Sequence, residues 1–289
     1  MSVFQRQDTP FFGAISGHDL LRLALLSLAA LIAISLGIDF LFEANNAPSA
    51  VNEASVPAQS PAPAEPLRIA RQKIEREILS QSPDYARFFG RLRQILPNEY
   101  EAVFDDFAKQ SLDGVDVSNV DSLVSEAVRD VRLSNGVLAA KADGPALSHI
   151  FDMQLKMMQA LAVKDPRLCV DFLYGGASQA FFAFSAQNRQ LVADMAIAGL
   201  DAINSGRISN IERERPTDSD FDTLENALKA QGLSEAEVGA ILDGKTPDPP
   251  IADERMCTVG QTYLKTLASL PEPVRLRIYG LAVELMARS

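Results

Sequence analysis

The chain has few of the side chains on which most catalytic sites depend. In 289 residues it has no tryptophan, two cysteines and two histidines. So few cysteines exclude a small disulfide-dense scaffold, and the missing tryptophan removes a common stacking platform for sugars. A hydrolase of the nucleophile-elbow type is excluded because no G-x-S-x-G motif is present. We also expect no nucleotide-binding loop and no cofactor.

Positive charge is scarce as well. The 27 lysines and arginines are outnumbered by 38 acidic residues, which gives a net charge of -11. Binding nucleic acid without regard to sequence needs a clustered surplus of basic residues to neutralise phosphates. We therefore expect no nucleic-acid partner. The apolar fraction of 47% is that of an ordinary globular protein, and the length allows one large or two small domains.

The one long apolar run lies near the N-terminus. It has no charge from Leu23 to Ile38 and continues past Asp39 to Phe42. About 20 residues at about 1.5 Å each cross the hydrocarbon core of a bilayer, so the run predicts a transmembrane helix over 20–42. A cleaved signal peptide is the alternative. Its apolar region would be only about 7–15 residues long and would end at a small-residue site, which does not fit this run.

The distribution of basic residues predicts the orientation of this helix. Arg6 and Arg22 precede or open the span, and the next Lys or Arg after it is Arg68. Because positive residues stay on the cytoplasmic side, the tail over 1–19 should be cytoplasmic and the rest exported. In a bacterium, this places a single-pass protein in the inner membrane with its main domain in the periplasm.

A linker follows the predicted membrane helix. Residues 43–66 are rich in Pro, Ala and Ser, and five prolines fall between Ala47 and Pro66. Such a segment has too few large apolar groups to form a core, so it should be a semi-extended tether. At about 3.1 Å per residue it would reach at most about 60 Å from the membrane.

From residue 67 to 289 the apolar period is helical throughout, which predicts an exported all-α domain. Two N-terminal caps are explicit: Ser82 before Pro83, and a capping box formed by Ser234 and Glu237. The charged, proline-containing stretch from Arg207 to Ser219 is interpreted as a surface loop of one domain. The predicted helices are Leu67–Ser80, Pro83–Leu96, Glu99–Gln110, Ser118–Lys141, Pro145–Val163, one at Asp165–Pro166, Ser178–Asn204, Ser219–Gln231, Ser234–Leu242, Ala252–Leu270 and Pro273–Ala287.

Cys169 and Cys257 occur in similar short sequences, both of the form D-x-R-x-C. In an oxidising compartment two such cysteines are most simply one disulfide, worth about 2–4 kcal/mol. The alternative is two buried thiols that behave as small apolar groups. Redox catalysis is disfavoured because there is no C-x-x-C motif.

His149, Met153 and Met157 are spaced four residues apart and would line one face of a helix. A histidine beside two thioethers is a ligand set that suits Cu(I). Methionine at helical spacing is more often core filling, so this copper cluster is the minor hypothesis and no metal is assigned.

A second cluster is basic. Residues 67–96 carry seven basic and three acidic side chains, whereas the part after them has 18 basic and 29 acidic residues. A basic patch close to the tether is typical of contact with anionic lipid or an acidic partner. Pairing within the helix is the alternative, because Arg71 precedes Glu75, and Lys73 precedes Glu77, by four residues. The basic residues are Arg68, Arg71, Lys73, Arg76, Arg87, Arg91 and Arg93.

Acidic residues offer little more. Asp218, Asp220, Asp222 and Glu225 resemble a calcium loop but lack its glycine and its closing glutamate, so a role at a helix start is favoured. Glu99, Glu101, Asp105 and Asp106 include enough carboxylates for glycoside hydrolysis.

The favoured function is a non-catalytic interaction or scaffold module that binds another envelope protein. A cell-wall glycan hydrolase, or a periplasmic metal or small-molecule binder, is the alternative.

Overall fold

The computed structural model describes residues 65–175 and 178–288, and every regular element in these ranges is a helix. The all-α prediction is therefore confirmed for this part of the chain. The predicted tail, the transmembrane helix over 20–42 and nearly all of the linker over 43–66 lie outside it. Across the described ranges, no helix has the length and apolarity needed to cross a membrane.

The helices are α1 (Glu65–Gln81), α2 (Pro83–Ile95), α3 (Pro97–Leu112), α4 (Val120–Ala139), α5 (Gly144–Lys164), α6 (Pro166–Leu173), α7 (Gln179–Gln187), α8 (Arg189–Ser209), α9 (Asp218–Ala230), α10 (Glu235–Asp243), α11 (Asp253–Ser269) and α12 (Glu272–Arg288).

The helix starts follow the caps that the sequence supplies. The side chain of Ser82 accepts a hydrogen bond from the backbone N–H of Tyr85, and Pro83 occupies the first turn of α2. Ser234 and Glu237 form the predicted capping box at the start of α10. Both caps are confirmed. They could be predicted from the sequence because each depends only on residues within one turn of the helix.

The predicted helix from Ser178 to Asn204 is wrong in one respect, because the structure divides it into α7 and α8. The break falls at Asn188, whose side-chain amide donates to the carbonyl of Phe184 at 2.8 Å. An asparagine side chain that bonds to its own backbone competes with helix continuation, and this signal is weaker than Pro or Gly. The first of the two helices therefore ends just before Asn188, although no Pro or Gly is present there.

Three groups of helices pack together. Helices α1, α2 and α3 contact one another, and α2 also packs on α8. The centre is formed by α4, α5, α8 and α12, with α4 between α8 and α12. Helix α11 packs on α5 and α6 and also contacts α9 and α10. One continuous set of buried apolar residues extends from Ile74 in α1 to Met286 in α12, so both sides of the 210–217 loop share a core.

Glycine allows α4 to approach α8 closely. A Cβ on Gly206 of α8 would lie 1.8 Å from the carbonyl oxygen of Leu138 in α4, a distance that no side chain tolerates. Where α4 meets α12, a Cβ on Gly136 would lie 2.9 Å from the Cβ of Ala287. The central helices are therefore in near-backbone contact at two points.

Candidate functional site

The two cysteines form the predicted disulfide. Cys169 in α6 and Cys257 in α11 are bonded through their sulfurs, and their Cα atoms are 5.6 Å apart. Both residues are almost completely buried. The bridge closes a sequence separation of 88 residues and joins α6 to α11 inside the core, which is the position of a structural disulfide.

Three arginines of the predicted basic patch pair with carboxylates on other helices. Arg71 bonds to Glu101 and Asp105 of α3, Arg87 to Asp194 of α8, and Arg91 to Asp201 of α8. The expected pairing of Arg71 with Glu75 along α1 is replaced by these contacts across the α1–α3 interface. Glu75 instead accepts a hydrogen bond from the hydroxyl of Tyr100.

The remaining members of the patch are more available. Arg68 pairs with Glu65 on the same helix. Lys73, Arg76 and Arg93 are exposed and form no ion pair with an acidic residue of the described ranges. The guanidinium of Arg93 lies over the ring of Tyr100, with 5.6 Å to the ring centroid. A lipid or acidic partner would therefore meet about half of the predicted basic surface.

The hypothetical copper ligands are separated by burial. His149 is exposed, whereas Met153 is 4% exposed and Met157 is fully buried in the core. A ligand set needs its donor atoms to converge, so this pattern favours packing for both methionines. Within the described part of the chain, no group of three His, Cys, Asp or Glu side chains is placed to hold a metal ion.

The acidic clusters serve structural contacts. Glu101 and Asp105 bond to Arg71, Glu99 accepts from the amide of Asn135, and Asp106 accepts from the amide of Gln110. Burial raises the pKa of Glu126 and of Asp130, and nearby carboxylates add to the effect. A raised pKa is what a glycosidase acid needs, but neither residue lines the groove or the cavity described below.

Asp220 and Glu237 have one arrangement in common. Each caps the start of its helix, α9 or α10, and each also accepts two hydrogen bonds from an arginine on a later helix. Arg277 binds Asp220 at 2.9 and 2.6 Å, and Arg255 binds Glu237 at 2.5 and 2.9 Å. These hydrogen bonds lower the pKa of each carboxyl to about 2. Asp220 is therefore part of a helix start and not of a calcium site.

A polar network that sequence analysis missed joins α2, α4 and α8. The hydroxyl of Tyr85 donates to Asp121, and the guanidinium of Arg189 donates to the same carboxylate at 2.9 and 2.7 Å. Burial alone would raise the pKa of Asp121, but these hydrogen bonds lower it below its ordinary value. The network uses residues 68 positions apart in sequence, so no local pattern could reveal it.

One stretch fits the phosphate-loop pattern G-x-x-x-x-G-K-[ST], contrary to the expectation of no nucleotide-binding loop: residues 239–246 read GAILDGKT. The functional motif needs a strand before the loop and a helix after it, because helix N-terminal N–H groups bind the phosphates. Here the stretch is the end of α10, and Gly244 caps that helix with a φ of 63°. Lys245 pairs with Asp243 at 2.6 Å. The match is therefore a helix C-terminus and not a phosphate site.

A surface groove runs between α4, α12 and the extended segment over 210–217, and we call it the α4–α12 groove. Its volume is about 230 Å³. Arg213 fixes the extended segment by donating to the carbonyls of Ala140 and Ala142. The backbone N–H of Ile211 donates to the backbone carbonyl of Lys141 at 3.0 Å.

The α4–α12 groove combines apolar and basic surface. Val137 and Ile211 line it and are 37% and 39% exposed, so two large apolar side chains face solvent side by side with charged ones. Arg215 and Arg288 also line it, with side chains 76% and 60% exposed, and both contact the single carboxylate of Glu284. In the whole lining, five basic side chains face three acidic ones, Glu212, Glu214 and Glu284, so the groove is more basic than the chain as a whole.

Comparison with protein-family models, with curated proteins and with solved structures finds no match for this chain. Its function is therefore inferred from its own surfaces and cavities.

Proposed function

We propose that this protein is a membrane-tethered helical domain of the bacterial envelope that binds another envelope protein and catalyses no reaction. The α4–α12 groove is the observation that carries the proposal. Exposed apolar side chains bordered by charged ones are typical of a protein-binding surface. Val137 and Ile211 supply the apolar floor, and Arg215 and Arg288 supply the border.

The charge of the border indicates the chemistry of the partner. Arg215 and Arg288 are largely exposed, and the groove lining has five basic and three acidic side chains. Arginine at the rim of an interface binds carboxylates and favours one partner over others. The partner segment should therefore present apolar side chains beside Asp or Glu.

The membrane anchor is supported by sequence alone. The apolar run over 20–42 is long enough to span a bilayer, and Arg6 and Arg22 favour a cytoplasmic N-terminus. The linker over 43–66 would let the domain reach a partner up to about 60 Å from the membrane. With this anchor, the domain would meet only partners that lie close to the same membrane.

Topology is tested by fusing a phosphatase that is active only after export to the C-terminus of the full chain. We expect activity, because the basic residues lie before the span. A reporter that is active only in the cytoplasm serves as the opposite control at the same position. Activity of that control, with an inactive phosphatase fusion, would contradict the proposed orientation.

Partner binding is tested by placing a photo-crosslinking residue at Ile211 of the full chain in native membranes. We expect one discrete heavier product. Val163 is the matched control site, because it is 91% exposed and lies about 28 Å along α5 from the helix end near the groove.

Reversing the charge of Arg215 tests whether the crosslinked product depends on the α4–α12 groove. Arg215→Glu should reduce the crosslink from Ile211 severalfold, whereas Arg167→Glu on the exposed side of α6 should leave it unchanged. Equal products from Ile211 and Val163, or no effect of Arg215→Glu, would show that the groove is not the partner site.

A further inference from the structure

A cavity of about 80 Å³ lies where α4, α5, α8 and α12 meet. Small residues leave this space open, because the helices cannot approach further than their contacts elsewhere allow. A side chain added at Gly199 would meet no atom within 4 Å. The small residues are Gly136, Ala139, Ala196, Gly199 and Ala287.

Polar donors lie in the wall of this otherwise apolar space. Gln154 is 4% exposed, and its amide Nε2 donates to the sulfur of Met286 at 3.2 Å. A thioether is a weak acceptor, so an oxygen atom in the cavity would be a better partner for this N–H. Arg132 is 8% exposed and also lines the cavity, where its guanidinium donates to the backbone carbonyl of Met286.

The cavity has a route to the surface. Most of its wall is buried, but Val128, Ile150 and Gly199 are only half-buried. Met286 is unbranched and flexible, so its side chain can shift to admit a guest without moving a helix. These residues provide an entrance and an adjustable wall.

We propose that this cavity binds a small, mainly apolar molecule that carries one oxygen acceptor, which the amide of Gln154 recognises. An apolar cavity with a few converging polar groups is the usual form of a small-molecule site. The size limits the guest to about three or four non-hydrogen atoms, since a dry cavity of about 150 Å³ holds benzene, which has six, and this one is about 80 Å³. This role is separate from protein binding at the α4–α12 groove.

The probes are acetone and 2-methylpropane, which have the same number of non-hydrogen atoms and differ in that a carbonyl oxygen replaces a methyl group. The full chain is placed in lipid nanodiscs, and the methyl signals of Ile150, Val283 and Met286 are followed by NMR. We expect saturable shifts with acetone and about tenfold weaker binding of 2-methylpropane. No saturable shift of these methyl groups at acetone concentrations that leave the domain folded would overturn the proposal.

The decisive variant is one whose added side chain fills the cavity. Gly199→Leu should weaken acetone binding at least tenfold, because the new side chain occupies the guest volume. Gly90→Leu is the matched control, since Gly90 is also helical, also has no atom within 4 Å of an added Cβ, and lies outside the cavity wall. If Gly199→Leu does not fold, Gly199→Ala should still weaken binding measurably. Binding that is equal in the cavity variant and in Gly90→Leu would refute the site.

The oxygen preference tests the role of Gln154 separately. Gln154→Leu keeps the approximate size and removes the amide, so the tenfold preference for the ketone over the alkane should disappear. Retention of that preference in Gln154→Leu would show that the amide does not recognise the guest.

Discussion

Asp220 and Glu237 show how one carboxylate stabilises a helix end and a tertiary contact together. Each accepts hydrogen bonds from the first turn of its own helix and from an arginine of another helix. Charge-assisted bidentate pairs of this kind are about twice as strong as neutral hydrogen bonds. Asp220 therefore links the start of α9 to α12, and Glu237 links the start of α10 to α11.

Asp220→Asn should lower the free energy of unfolding at pH 7 by about 1–3 kcal/mol, because Arg277 loses its charged acceptor. The pKa of Asp220 is about 2 in the folded state, below its ordinary value of 3.8. Its contribution is complete above about pH 4 and is lost as the pH falls toward 2. Urea unfolding at pH 7 and pH 2.5 measures both effects. Asp222→Asn, an exposed change on the same helix, should have little effect at either pH.

The two networks also show what sequence can reveal at this scale. The capping box of Ser234 and Glu237 was predicted, because its members lie three residues apart. The arginine that completes it, Arg255, lies 18 residues away on another helix, and nothing local indicates that contact. Arg71 was paired with the wrong carboxylate for the same reason, since the i, i+4 rule does not include neighbouring helices.

At the scale of helices, two helical glycines in different surroundings should respond in opposite ways to the same substitution. Gly206→Ala should destabilise the domain by about 2–3 kcal/mol, because the new methyl group would force α8 away from the Leu138 carbonyl. Gly90→Ala in α2 should stabilise it by about 0.5–1 kcal/mol through helix propensity, since nothing lies within 4 Å of its added Cβ. Thermal unfolding of both variants measures the two changes in stability. Equal effects would contradict the close approach of α4 and α8.

Helix positions were predicted well where Pro, Ser or Asp mark the starts, as at Ser82 and Asp165. The missed boundary at Asn188 has no such marker, because asparagine acts there by a bond to the carbonyl of Phe184. The central cavity and the α4–α12 groove were not predicted at all. Both are set by distances between helices, which the periodicity of one helix does not contain.

At the scale of the whole molecule, the disulfide restricts the unfolded chain most. A bridge across 88 residues is worth about 4–5 kcal/mol in the chain-entropy estimate, and strain usually reduces this value. Cys169→Ser, Cys257→Ser and the double change should therefore lower the melting temperature by similar amounts. Alkylation of the unreduced native protein should detect no free thiol. Single changes whose effects add in the double variant would contradict a shared bridge.

The folded unit should be independent of the preceding chain. Deleting residues 1–64 should leave a soluble domain that unfolds cooperatively, because α1 begins at Glu65 and its buried Ile74 and Ile78 belong to the common core. Circular dichroism and thermal unfolding of the fragment provide the measurement. Aggregation, or absence of a helical spectrum, would place essential core residues before Glu65.

The disulfide and the exposed 210–217 segment together determine what a protease would do to this domain. Exposed extended segments are preferred cleavage sites, and the two cysteines lie on opposite sides of this one. A single cut there would leave two fragments that stay covalently joined and separate on a gel only after reduction. Because the same segment forms a wall of the α4–α12 groove, the cut would alter that surface while the disulfide kept both fragments together. If the groove binds a partner as proposed, cleavage should abolish that binding without releasing either fragment.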